Sequence, residues 1–443
     1  AECAATDSSE GAAESDTASR RVLAGFAGPH GFGRWLEYMV GRGTAQNVGS
    51  FVGDGTLRVY AKGTEAGPLT PAERDTARAA MARAMEDGAF GLASALIYPP
   101  NTYATTEELA DAARAMAPYG GVYITHMRSE GDKFLEAIDE ALRIGREGGV
   151  PVEIYHLKAS GPRNWPKMPL AIAKIDSARA AGQDVQADMY LYPAGGNSFA
   201  SCIPPKYAAG GRLLENLRNP ALRATIVAEM HALDAGYENL CEIATPANVM
   251  VVGFTRPELK RFEGQRLDAI TAALGVDWAE AIIDLNVAES LGLGEILFLM
   301  SEDNMRLQLR QPWMKFGTDA GSTDPATATA MVHPRTYGNF PRIFARYVRE
   351  QQVLTLEDAV RKASSAVATR LSLTDRGVLK AGLKADVIVF DPATITDHAT
   401  FERPHQLSTG VRDVFVNGVA VLRDGQHTGA KPGQVVRGPG YRP

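Results

Sequence analysis

Cysteine is scarce in this chain: Cys3, Cys202 and Cys241 are the only three in 443 residues, scattered and odd in number. That pattern argues against a disulfide frame and predicts free thiols in a reducing, cytoplasmic compartment, with Cys202 and Cys241 as packing residues. Long apolar runs are missing too, and none approaches the roughly 18 to 20 residues of a membrane span. Residues 1–19 have neither the basic start nor the apolar core of a secretory signal. The formal charge is −6 and no basic stripe is present, which argues against nucleic acid as a partner.

What is present is ample core material, 45% hydrophobic residues against 22% charged. A single α/β barrel with insertions can take over about 400 residues, so length does not require several domains. Residues 1–30 are rich in Ala, Ser and acids, and the first twenty of them lack periodicity, which predicts a poorly ordered arm. Helices are expected over 32–42, 71–87, 105–117, 133–147 and 169–181. Strands are expected at 45–53, 89–98, 121–125, 150–155, 184–192 and 312–319. Thr70 with Glu73 and Pro71 marks a helix start. Residues 194–311 are less regular and read as a long insertion. The last seventy residues carry short strands with turns, a small β module over 376–443.

The centre of this pattern is Gly120 to Ser160. The run Gly121-Val-Tyr-Ile-Thr ends in His126, a helix follows, and Val150-Pro-Val-Glu-Ile-Tyr ends in His156. This is a βαβ unit with a histidine just past each strand. In parallel α/β proteins, ligands bind at the carboxyl ends of strands. A third strand ends in Asp319. Two imidazoles and a carboxylate suit Zn²⁺, which makes a water nucleophilic and polarises a carbonyl, the needs of amide hydrolysis. Strands alternating with helices predict a parallel barrel or a doubly wound sheet.

Each of these residues also has a plainer explanation. A single buried histidine is more often a hydrogen-bonded core residue. Asp319 could cap the turn Asp-Ala-Gly-Ser, Lys158 and Arg128 could form ion pairs, and Tyr190 and Tyr192 share one strand face and could both pack. His333 sits in a loop with Pro334 and Arg335, where a structural role competes with substrate contact.

Several segments resemble the amidohydrolase superfamily and, within it, the D-aminoacylase (N-acyl-D-amino-acid deacylase) group. They begin at Gly91 (GLASALIYPP), Gly121 (GVYITHMRSEG), Glu153 (EIYHLKASG), Ala187 (ADMY), Phe316 (FGTDAG), His333 (HPRTYGNFPR) and Lys384 (KADVIVFDP). The resemblance runs from about residue 33 to the end. It implies that His126 and His156 bind metal at the ends of barrel strands five and six, and that Asp319 is the catalytic aspartate of strand eight. It also implies that Lys158 and Tyr190 grip the substrate carboxylate; Arg128 lies close enough in sequence to help, and His333 is a further candidate contact.

One departure stands out. Family members carry a first barrel strand ending in His-x-His, and none of the eight histidines here forms that motif. The first clear strand corresponds to strand three, so strands one and two look absent. Their loss would leave exposed edges on strands three and eight. Glu10, in Ser9-Glu10-Gly11, is the best candidate for the bridging ligand of strand two, ahead of Cys3. The expected fold is therefore a (β/α)8 TIM-type barrel lacking its N-terminal strands, over 31–375, with the insertion and the C-terminal module. The expected function is Zn²⁺-dependent hydrolysis of N-acyl-D-amino acids, with one ion rather than two. The alternatives are a cyclic-amide or dipeptide hydrolase, or a truncated, inactive homologue.

Overall fold

Local signals set most helix boundaries, as two capping boxes show. The computed structural model describes residues 25–443 except 27, 234 and 235. Thr70 accepts from the backbone N–H of Glu73, and the Glu73 carboxylate accepts from Thr70 N, at the start of helix Pro71–Glu86. Thr105 and Glu108 repeat the arrangement ahead of helix Thr106–Met116. Each box satisfies N–H groups that a helix start otherwise leaves unpaired. Helix Phe134–Gly148 lays Phe134, Ile138, Ala141, Leu142 and Gly145 against the core and stops at Gly149, whose φ of 68° suits glycine.

These helices cover a six-stranded parallel sheet: β1 Val52–Gly53, β2 Gly91–Ala95, β3 Val122–His126, β4 Val152–Ile154, β5 Val185–Met189 and β9 Met314–Phe316. Every strand pairs with its successor in this series. That winding is a barrel's; a doubly wound sheet would reverse its order at a switch point. The strands are short and largely buried, as expected where helices cover a parallel sheet. A buried ion network ties the sheet to its cover: Glu153 meets Lys315 at 3.0 Å and Arg370 at 2.9 Å.

Between β5 and β9 the chain leaves the sheet for more than a hundred residues. This insertion has its own antiparallel sheet, ordered β6 Gly195–Ser198, β8 Gly294–Leu297, β7 Val249–Val252. It also has its own core around Phe199, Ile226, Ile282 and Phe262. Cys202 and Cys241 form a disulfide inside it, which corrects the expectation of free thiols. The two residues are brought together by the insertion's fold rather than by spacing, and the inference of a reducing compartment loses that support. Cys3 and Glu10 lie outside the described residues.

The C-terminal strands β10 Val387–Phe390, β11 Val411–Val416, β12 Val419–Arg423 and β13 Gln426–His427 form a separate antiparallel sheet. Beyond it the tail returns to the start of the parallel sheet. Val48 bridges Val435, and Gly438 N donates to Gly88 O at 2.8 Å. The tail explains why the strand expected over 45–53 shrinks to Val52–Gly53: the residues before it run along the tail instead. Gly49 permits the approach, since a Cβ there would fall 2.7 Å from Val436 O. Among the described residues no helix is long and apolar enough to cross a membrane.

Candidate metal centre

β3 and β4 end side by side, and their register decides the site. Thr125 pairs with Ile154, so His126, the last residue of β3, and His156, two residues past β4, lie one and two residues beyond that pair. His156 and Asp319, two and three residues past the ends of β4 and β9, both have left-handed φ, 34° and 49°. This conformation is costly for a side chain larger than glycine's and tends to persist where surrounding structure imposes it. Asp188 imposes part of it, accepting from His156 N at 2.8 Å.

The two imidazoles meet nitrogen to nitrogen. His126 Nδ1 lies 3.0 Å from His156 Nε2. Burial holds both rings far below the usual histidine range, at about 3, and the Lys158 ammonium adds to the effect. They are neutral, the form a metal requires. His126 Nε2 has no hydrogen-bond partner. On the far side of His156, Nδ1 lies 3.1 Å from Glu130 Oε1 and 2.8 Å from Lys158 Nζ.

These residues fit a zinc ion. Zn–N bonds of about 2.0–2.1 Å in tetrahedral geometry place two ligand nitrogens roughly 3.3 Å apart, so the facing pair need open only slightly. Metal-bound histidines usually donate their other N–H to a carboxylate. Glu130 Oε1 is placed to accept it from His156 Nδ1, which leaves Nε2 free for the metal. Glu130, His126 and His156 do form a cluster close enough to share an ion. Glu130 Oε1 also accepts from Lys158 Nζ at 2.7 Å, while Oε2 lies 3.9 Å from His126 Nε2.

A cavity of about 300 Å³ opens over this centre, and its lining includes His126, Glu130, His156, Lys158, Tyr190, Asp319 and Arg335. The insertion supplies the opposite wall: Gly196, Asn197, Ser198, Leu240, Leu297 and Leu299. Asp319 Oδ2 lies 2.7 Å from Arg335 Nη1. The Arg335 guanidinium stacks 4.4 Å from the Tyr190 ring centroid, and its Nη2 donates to Gly196 O. Arg335 Nε and Tyr190 Oη are buried without partners. Two unpaired donors beside a metal centre suit a carboxylate.

The structure thus brings His126, His156, Asp319, Lys158 and Tyr190 to one cavity. It places Arg128 elsewhere. That guanidinium is held bidentate by Glu140 and donates to the carbonyls of Thr102 and Ala104, so it is spent on local structure. His333 is also occupied, with Nε2 at 2.9 Å from Ala194 O and Nδ1 accepting from Arg335 N at 3.0 Å. It orients the loop that delivers Arg335. Lys158 Nζ donates to Glu130 Oε1 and to His156 O, and lies 2.8 Å from His156 Nδ1. Sequence reasoning did not single out Glu130 or Arg335 as site residues, although both stand within the segments beginning Gly121 and His333.

Known proteins resemble this chain over most of its length. The amidohydrolase family matches residues 303–422. The D-aminoacylase of Alcaligenes xylosoxydans xylosoxydans is 32% identical over 405 residues, covering 91% of this chain and 73% of that protein. The N-acyl-D-aspartate deacylase of the same organism is 34% identical over 407 residues, covering 91% and 71%. Among solved structures, the N-acyl-D-glutamate deacylase of Bordetella bronchiseptica, complexed with zinc and a phosphonate mimic of the tetrahedral intermediate, superposes with a TM-score of 0.75. It is 29% identical and covers 92% of this chain and 75% of that one.

Proposed function

The chain belongs to the amidohydrolase family, in its D-aminoacylase group, and from that premise we propose that it hydrolyses N-acyl-D-amino acids to a carboxylate and a free D-amino acid. The observation that carries the reading is the facing pair of neutral imidazoles, in one cavity with Asp319 and two unpartnered donors.

His126 Nδ1 and His156 Nε2 would hold a single Zn²⁺. When bound there, zinc supplies Lewis acidity to the amide carbonyl and lowers the pKa of water. Asp319 takes the proton from the attacking water and returns it to the amide nitrogen as the carbon–nitrogen bond breaks. Arg335 Nε and Tyr190 Oη receive the substrate's carboxylate and so fix which face of the amide meets the water. Arg335 also fixes Asp319 through Nη1, so binding and proton transfer share one guanidinium. Lys158 neutralises Glu130 and keeps it on His156. The leucines of the insertion wall exclude bulk water.

The test is release of free D-methionine from N-acetyl-D-methionine, with the L-enantiomer as control. Turnover confined to the D-series, and lost in Asp319→Ala, supports the reading. Equal turnover of both enantiomers, or activity surviving Asp319→Ala, opposes it.

A further inference from the structure

The parallel sheet alone does not place Glu130, because the turn that carries it is held from the insertion. We propose that Glu238 is a positioning residue that sets Glu130 against His156 and Lys158, and through them the metal-binding nitrogen of His156. The proposal rests on the metal-dependent reading above.

The Ser129–Gly131 turn follows β3 and leads into helix Phe134–Gly148. Its backbone N–H groups would be unpaired there, since a helix start supplies no acceptors of its own. The half-buried Glu238 provides them. Its Oε1 accepts from Glu130 N at 2.9 Å, and its Oε2 accepts from Gly131 N at 2.9 Å and from the Ser129 hydroxyl. Ser129 Oγ in turn accepts from Gly131 N and Lys133 N, each at 3.2 Å. One carboxylate from more than a hundred residues away therefore orders the whole turn.

The segment after Glu238 reinforces the grip. Ile243 packs so close to both site loops that a Cβ on Gly131 would fall 2.8 Å, and one on Gly161 2.6 Å, from its side-chain carbons. The two loops are joined by Ser160 N donating to Glu130 O at 2.7 Å. Arg163 clamps Glu242 to Asp132, and Cys241 is tied to Cys202. Leu240, between Glu238 and Cys241, lines the cavity itself. The insertion is thus both the far wall of the cavity and the brace of its near wall.

The experiment compares the parent protein with Glu238→Ala, Glu238→Gln, Glu130→Gln and the double variant Glu130→Gln/Glu238→Ala. Zinc affinity, kcat/KM and amide exchange are measured on each. Glu238→Ala is expected to weaken zinc binding and kcat/KM by about 10-fold or more, and to strip protection from the Glu130 and Gly131 amides. Glu238→Gln keeps a carbonyl acceptor for those amides and should recover most of each loss; it also serves if the alanine variant fails to fold. Because Glu238 acts through Glu130, the double variant should bind zinc no more weakly than Glu130→Gln alone. Multiplying losses in the double variant, or unchanged exchange at Glu130 and Gly131, would overturn the proposal. Should the parent release no D-amino acid, the functional reading fails, while zinc affinity and exchange still decide the role of Glu238.

Discussion

His126 Nδ1 and His156 Nε2 face each other at 3.0 Å, and the other nitrogen of His156 is held between Glu130 and Lys158. The pair is buried, neutral and close to the separation that one tetrahedral zinc demands. Removing either ring leaves one imidazole, too few to retain the ion. His156→Ala is therefore expected to lose both bound zinc and turnover while keeping the parent's far-ultraviolet circular dichroism. A variant that kept its zinc would place the metal elsewhere.

Arg335 and Tyr190 bring opposite costs to folding and binding. A buried hydroxyl without a partner destabilises the fold, so Tyr190→Phe should raise the thermal midpoint slightly. The same change removes a donor to the substrate carboxylate and should raise KM. Arg335→Ala loses a charged hydrogen bond worth about 1.5–3 kcal/mol, or roughly 10- to 150-fold in kcat/KM. Steady-state kinetics beside a melting curve measures both. A Tyr190→Phe variant with unchanged KM would remove tyrosine from the binding scheme.

Glu295 makes the insertion sensitive to pH. Burial pushes its carboxyl up to about 8, although the Ser201 hydroxyl pulls the other way. In the unfolded chain it ionises near its ordinary value of 4.5. Its contribution is full below that value, falls as pH rises and the unfolded chain alone ionises, and is gone once pH passes the folded value. Denaturant midpoints should fall from pH 5 to pH 8, and Glu295→Gln should flatten that slope. Parallel slopes for parent and variant would count against a buried, protonated Glu295.

The Cys202–Cys241 link spans 39 residues of the insertion. A cross-link of that span stabilises by about 2–4 kcal/mol. Peptide mapping without reductant should recover the two cysteines in one linked fragment. Cys202→Ser with Cys241→Ser should lower the unfolding midpoint. Two alkylatable thiols at these positions in unreduced, denatured protein would refute the link.

Much of this site is legible in the sequence. The β3–helix–β4 unit shows itself through two short apolar runs that each end in a histidine, and the Thr70 cap through Glu73 three positions on. The histidines were legible because strand ends in such units converge. Other features depend on tertiary contact. The β6 run Gly-Gly-Asn-Ser has no alternation to betray a strand, and the Cys202–Cys241 link depends on how the insertion folds. Glu130 reads as one more loop acid until Lys158 and His156 close on it. Arg128 misled for the same reason in reverse: its nearness in sequence to His126 said nothing of Glu140, which takes its guanidinium.

The most direct test of the account is zinc per purified chain by elemental analysis, with D-methionine release from N-acetyl-D-methionine measured on the same sample. The account predicts close to one zinc per chain, and turnover that chelation abolishes and added zinc restores. Folded protein that takes up no zinc and releases no D-methionine would contradict it.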